Sequence, residues 1–236
     1  MLNQADKNMF ALKATKLQIG TSDILRENIL SIYALLNKHF GNLHWWPAET
    51  PFEVIVGAIL TQNTAWTNVE TAINNLKVAG LMSPHQLRQA NDSFIESLIT
   101  PSGYYRQKTK KLKAFLKYLC EQHQGNVDTM IAMPTNVLRN DLLSIWGIGQ
   151  ETADSIILYA LQKPLFVVDA YTKRILLRHQ MCSDNADYGD IQRMFMLRLQ
   201  PNVKMFQQYH ALLVNTGKLF CKKTIPSCTI CPLQCL

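Results

Sequence analysis

The sequence predicts an all-α protein, and three observations carry that prediction. Apolar residues recur at helical spacing along most of the chain, as in Ile24, Leu25, Ile29, Leu30, Ile32, Leu35 and Leu36. Helix-start signatures stand at Thr50-Pro51-Phe52-Glu53 and at Ser83-Pro84-His85-Gln86, each a hydroxyl cap with Glu or Gln three residues on and proline at the first helical position. No stretch alternates apolar and polar residues as a half-buried strand does.

In order along the chain, residues 1–20 show weak periodicity and read as a loose arm. The pattern then predicts helix over 24–40, stopped by Gly41. A second helix over 51–60 is apolar almost all round, so it should be buried on most sides. Helices follow over 67–76, from 84 onward, and over 92–99, the last ended by Pro101. Residues 104–122 form a long amphipathic helix. Leu112, Phe115, Leu116 and Leu119 line one face, and Lys108, Lys110, Lys111, Lys113 and Lys117 the other. The stretch 142–169, LLSIWGIGQETADSIILYALQKPLFVVD, reads as a helix, a tight Gly-Ile-Gly hairpin, a second helix, a proline-containing loop and one carboxylate. Helices over 171–178, 188–199 and 205–220 complete the chain. There is no internal repeat and no low-complexity segment.

A chain of 236 residues with 47% hydrophobic content can bury a substantial core. Twenty-four Lys and Arg against 17 acids give +7, a balance that suits a polyanion partner. The first 20 residues lack the apolar core of a signal peptide, and the longest apolar run, 54–60, is too short to span a bilayer. The expectation is a cytoplasmic protein, where cysteines stay reduced or bind metal.

The hairpin is the chemically informative stretch. Gly147 and Gly149 are expected to adopt angles that a Cβ disfavours and to leave the hairpin amides open. Thr152 and Ala153 are small enough to let the second helix pack close. Amides at that helix's start would suit an anion such as a DNA phosphate. Asp169 follows Phe166, Val167 and Val168, so a buried segment delivers it to a fixed place. Read without further context, it is a helix N-cap ahead of Tyr171, as many aspartates are. Four of the six cysteines crowd the end, Cys221, Cys228, Cys231 and Cys235, with gaps of six, two and three residues. Four thiolates in a short loop suggest a metal centre, iron–sulphur or zinc. Cys120 and Cys182 read as packing residues.

Together, the hairpin, its spacing to Asp169 and the cysteine loop resemble the endonuclease III superfamily of helix-hairpin-helix DNA glycosylases. The resemblance covers most of residues 25–235. It implies two helical lobes flanking a DNA-binding cleft: a six-helix lobe over 43–163, and a second lobe from 1–42 and 164–236 that ends in a [4Fe-4S] loop. The family's cluster spacing is C-x6-C-x2-C-x5-C, so Cys235 arrives two residues early. The resemblance gives Asp169 the catalytic role. Bifunctional members carry a Schiff-base lysine just before Thr-Ala, where this chain has Glu151, and a carboxylate cannot form a Schiff base. A monofunctional enzyme is implied.

Leu60-Thr-Gln62-Asn63-Thr64 resembles the segment whose glutamine fills the hole left by a flipped base. The alternative is that Gln62 and Asn63 are polar caps at a helix end. Pro101-Ser-Gly103-Tyr104-Tyr105-Arg106-Gln-Lys108 resembles the family's duplex-wedging loop, with Lys108, Arg106 and later Arg174 as phosphate contacts. The alternative there is a solvated basic face. Trp45-Trp46-Pro47 and Trp66 resemble the base pocket of the 3-methyladenine branch, where aromatic faces stack on a cationic base. Core packing is the alternative for each tryptophan. The implied partner is double-stranded DNA containing damaged bases, acted on by a nucleoid-associated monomer. Competing functions are a glycosylase for oxidised pyrimidines or mismatched bases and a non-catalytic damage binder. The chain stops at Leu236 with no second recognition domain, which is expected to disfavour the adenine-mismatch type.

Overall fold

The computed structural model describes residues 25–236, and among these it contains helices and no strand. The loose arm expected over 1–20, and Ile24, lie outside the described residues. The helices are α1 (described over residues 25–40), α2 Pro51–Leu60, α3 Trp66–Val78, α4 Pro84–Gln89, α5 Asp92–Ile99, α6 Tyr105–His123, α7 Asp128–Ile131, α8 Thr135–Ser144, α9 Gln150–Ser155, α10 Ala170–Arg178, α11 Tyr188–Arg198 and α12 Val203–Leu219. The wide π-type turn Ile156–Ala160 continues α9. α7 and α8 before residue 142 lie outside the helices expected from the sequence, and the π-type turn falls within the second helix expected after the hairpin.

The chain divides into two compact units. The hairpin unit is His44–Val167 with Pro201–Gln207; the cysteine unit is Val168–Gln200 and Gln208–Leu236 with the described residues 25–43. The sequence reading ended the first lobe at 163. The unit runs on to Val167 and takes in the start of α12 because Phe166 stacks edge-on against Phe206 at 5.5 Å, and Gln207 Nε2 donates to Leu158 O at 3.0 Å. Contacts across some forty residues leave no local mark in a sequence.

α2 is the centre of the hairpin unit. Thr50 caps it by accepting from Glu53 N at 3.2 Å, with Pro51 following as the cap signature requires. Every residue of α2 after Pro51 is buried, and it packs against α3, α6, α9 and the π turn. Even Glu53 is buried, its carboxylate paired with Lys77 at 2.8 Å. In the cysteine unit the core joins α1 to α12. Tyr209 is fully buried and donates its hydroxyl to Ile29 O at 2.7 Å, with Tyr33 and Phe195 packed edge-on against its ring. Burial pushes its phenol well above the usual range.

Candidate DNA-processing site

The hairpin unit carries the Gly-Ile-Gly turn and the residues around it. Gly147 has φ +85, where a residue with a Cβ is strained, and a Cβ there would also press on the Lys111 stem. Gly149 is different. Its φ of −93 suits any residue, and a Cβ would meet nothing within 4 Å. The expectation of a glycine-only conformation is therefore met at Gly147 and corrected at Gly149, where the glycine leaves open space ahead of α9. Ile145 and Ile148 anchor the turn in the core, while Trp146 between them is 57% exposed. Thr152 and Ala153 are buried as their size suggests, and Glu151 is exposed in the first turn of α9.

Gln62 is joined to this hairpin. Its Nε2 donates to Gly147 O at 3.2 Å and to Thr152 Oγ1 at 2.9 Å, and its Oε1 accepts from Lys111 Nζ. Asn63 beside it is exposed with φ +54. Gly103 and Tyr104 both have positive φ, +67 and +45, Tyr104 in the left-handed helical region and 73% exposed. Tyr105 is half-buried, with the Arg106 guanidinium 5.8 Å from its ring centre.

Lys108 overturns its expected role. It is only 2% exposed, and its ammonium donates to Leu60 O at 2.7 Å, Thr64 Oγ1 at 2.7 Å and Ser102 O at 2.6 Å. Burial first, and the Lys111 charge second, bring its pKa down to about 8. It cannot touch phosphate from there. The sequence put it on the basic face of α6 because lysine is rarely buried; three converging oxygens reverse that preference.

The tryptophans form a cluster. Trp46, with φ +70, lies edge-on to Trp66 at 5.6 Å and tilted on Tyr159 at 4.9 Å. Its indole reaches the face of α2 at Gly57, where a Cβ would stand 3.3 Å from Nε1. That Nε1 is buried with no hydrogen-bond partner. A left-handed tryptophan with an orphaned N–H is local strain of the kind that collects at functional positions. Trp45 is half-buried and Pro47 exposed. Tyr159 was missed beforehand; its one signal was a lone aromatic in the aliphatic run 156–161.

The cysteine unit carries Asp169. Asp169 is 8% exposed and caps α10, its Oδ1 accepting from Thr172 N at 2.7 Å. Both readings of this residue are thus compatible: one oxygen caps and the second stays available. Oδ2 stands 3.8 Å from Nε2 of the buried His210, which sequence reading placed on the helix leading to the cysteines without a role. Burial drives the His210 pKa down, more than Asp169 draws it up, and Lys218 adds to the fall. Burial therefore favours the neutral form of the imidazole that stands beside the carboxylate.

Arg174 is the second basic residue turned inward. Its Nε donates to Cys221 O at 2.7 Å and its Nη2 to Gly217 O at 3.2 Å, with the guanidinium 5.0 Å from the Tyr171 ring centre. It braces the cysteine loop, so the expected phosphate contact is not what this geometry provides. One turn on, Arg178 donates to Cys221 Sγ at 3.1 Å, Lys222 O at 2.8 Å and Lys223 O at 3.1 Å.

Cys221, Cys228 and Cys231 line one cavity of about 160 Å³ with His179, Thr216 and Leu233, while Cys235 is exposed outside it. The Cys231 thiol is pushed up by burial and by the sulphurs of Cys221 and Cys228. Among the described residues no three His, Cys, Asp or Glu side chains gather tightly enough to grip a single metal ion. Three sulphurs around a cavity fit part of the donor set of a multi-iron group, and Cys235 does not yet join them.

These features accompany membership of a family of base excision repair DNA glycosylases. Residues 56–201 match the HhH-GPD superfamily of base excision DNA repair proteins, and the chain belongs to that superfamily. It is 45% identical over 210 residues to a Methanocaldococcus jannaschii protein provisionally named a DNA repair glycosylase, covering 88% of this chain and 94% of that one. Endonuclease III of Sulfolobus acidocaldarius is 26% identical over 184 residues, covering 78% of this chain and 79% of the relative. Among solved structures, the H. pylori 3-methyladenine DNA glycosylase MagIII bound to 1,N6-ethenoadenine superposes with TM-score 0.70 at 26% identity, over 82% of this chain and 97% of that one. A trapped endonuclease III–DNA covalent intermediate superposes with TM-score 0.75 at 21% identity, over 88% and 93%, a likeness of fold.

Proposed function

We propose that this glycosylase is monofunctional and hydrolyses the N-glycosidic bond of a flipped, alkylated purine such as 3-methyladenine in duplex DNA. The observation that carries the catalytic part is Asp169: a nearly buried carboxylate with one oxygen fixed by the α10 cap and, beside the other, a histidine whose burial favours its neutral form. Loss of the base leaves positive charge on the sugar, and a fixed carboxylate stabilises it or positions the attacking water. The flipped base costs about a few kcal/mol to extrude, least when it is damaged.

The alkylpurine part rests on the Trp46, Trp66 and Tyr159 cluster and on the likeness to MagIII. An N-alkylated purine is cationic, so aromatic faces attract it, and its glycosidic bond is already weak. Glu151 at the Schiff-base position supports hydrolysis without strand cleavage. Gly147, Gly149 and Thr152 at the hairpin are proposed to receive the backbone phosphates, and Gln62, Asn63, Gly103, Tyr104 and Tyr105 the distorted duplex. We propose a [4Fe-4S] cluster on Cys221, Cys228 and Cys231, with Cys235 as the family's fourth ligand. Its chemistry here is structural, fixing a loop that carries Lys222 and Lys223. No helix among the described residues is long and apolar enough to cross a membrane, and the work of repair places the protein with DNA.

The test is base release from alkylated duplex DNA. Wild type is expected to liberate free 3-methyladenine and leave strands that break only after alkali. Asp169→Asn is expected to lose about 10²–10³-fold in rate. Efficient nicking with borohydride trapping would overturn the monofunctional reading; equal release by Asp169→Asn would overturn the carboxylate's role.

A further inference from the structure

The buried lysine of α6 belongs to neither the aromatic cluster nor the hairpin, yet it touches both segments assigned to the distorted duplex. Leu60 O is the last carbonyl of α2, an acceptor that the helix itself leaves without a donor. Thr64 lies four residues on, past Gln62 and Asn63. Ser102 lies immediately before Gly103 and Tyr104. Lys108 Nζ donates to all three, and Thr64 Oγ1 in turn donates to Ser102 O. A cation at a helix C-terminus also opposes the negative end of the helix dipole. Its stem, one turn before Lys111, comes from a rigid nineteen-residue helix.

We propose that Lys108 is the positioning residue for the two duplex-entering loops: its ammonium clamps the α2–α3 turn to the 100–104 loop, so that Asn63 and Tyr104 are presented at one fixed mutual position. The two residues share a signature that supports this. Both are solvent-exposed, both have left-handed backbone, and both sit within two residues of an oxygen that Lys108 holds. Left-handed angles on residues that bear a Cβ persist only where the surroundings over-determine them, and the clamp supplies that constraint. A lysine suits the task because its three donors diverge from one point and meet three neutral oxygens from two segments, whereas a planar guanidinium does not. The charged neighbour acting on it is Lys111 on the same helix, which is itself drawn away onto Gln62.

This inference rests on the glycosylase reading for its purpose but not for its test. Amide hydrogen exchange is measured on wild type, Lys108→Met and Thr64→Val, following residues 61–64 and 100–105 against 51–60 and 145–150 as internal references. Both loops are expected to lose protection together in Lys108→Met, by about tenfold more than any change in the references. Thr64→Val, which keeps the lysine, is expected to loosen the same two loops less. Binding is then compared for a duplex carrying a stable abasic analogue and for undamaged duplex. Lys108→Met is expected to lose preference for the abasic duplex while binding undamaged duplex as before. Tyr104→Ala is expected to lower that preference in wild type and to add nothing in Lys108→Met, since the loop is already released.

Unchanged exchange in either loop, loosening of only one, or additive effects of Tyr104→Ala and Lys108→Met overturns the proposal. Should Lys108→Met not fold, Thr64→Val decides alone: joint loosening supports the clamp and independent behaviour removes it. If wild type shows no preference for damaged duplex and releases no base, the glycosylase reading fails while exchange still decides the clamp.

Discussion

Two helices in this protein do the same job with different residues. In the hairpin unit α6 sends Lys108 and Lys111 inward; in the cysteine unit α10 sends Arg174 and Arg178. Each pair lies one turn apart and holds irregular chain. Lys108 binds as a point inside a closed cage, meeting three oxygens and all but excluded from water, while half-buried Lys111 holds the Gln62 side chain. The arginines work as forks from a half-open position, and one of their partners is a cysteine sulphur. The difference teaches how each loop is stabilised. The α2–α3 turn and the 100–104 loop are complete once the ammonium is in place. The cysteine loop is braced on one side and leaves a cavity among three thiols, which the proposed cluster would fill.

Several substitutions break or sharpen this contrast. The two close-packed glycines should give the largest effects on stability. Gly217→Ala drives a Cβ to 2.3 Å from Tyr171 Cδ1 and 2.6 Å from Tyr171 Cβ, atoms with little room to yield. Overpacking of this kind costs about 1–3 kcal/mol or more, set against the gain of about 1 kcal/mol from alanine in a helix. Gly147→Ala meets the flexible stem of Lys111 instead, so its cost comes chiefly from φ +85, of order 1–3 kcal/mol. Urea unfolding of the two variants separates them: Gly147→Ala should also free the Gln62 amide, and Gly217→Ala should not.

Next come the clamps themselves. Lys108→Met takes a donor from three oxygens and leaves buried Leu60 O without one, and the expected loss is about 1–3 kcal/mol. Arg178→Met removes three bonds from an exposed position, where water replaces the donors, so about 0.5–1.5 kcal/mol is expected. Its effect should show locally, as faster proteolysis of residues 222–227 with little change in the unfolding midpoint. An Arg178→Met loss larger than that of Lys108→Met would reverse the contrast between closed cage and open fork.

The smallest effect concerns pH. His210 is held below its ordinary pKa of 6.5 by burial, so the unfolded chain binds more protons than the folded one as pH falls through that value. Stability is therefore fully present above about pH 6.5 and declines as acid forces a proton onto the buried ring. His179, also lowered by burial, acts in the same sense. Denaturation midpoints at pH 7.5 and 5.5 should fall less in His210→Gln than in wild type. An equal fall in both would remove His210 from the account.

Much of the scaffold is written locally. Thr50, Pro51 and Glu53 announce α2 because capping involves residues three apart. The apolar run after them requires burial because no polar face is left for water. Gly147 and Asp169 were legible for the same reason: a turn and a cap are decided within a few residues. The cysteine spacing, too, names its thiols before any fold is known.

What only the tertiary structure decided is the direction in which long basic side chains point. Lys108 and Arg174 looked like surface cations because, by themselves, lysine and arginine favour water. Each turned inward because oxygens from segments far along the chain converge within reach of its charge. The same holds for Tyr159 under Trp46 and for His210 beside Asp169. Periodicity and caps fix which residues share a helix face. Which face meets which loop is settled by packing across tens of residues, and there the sequence carries no local sign.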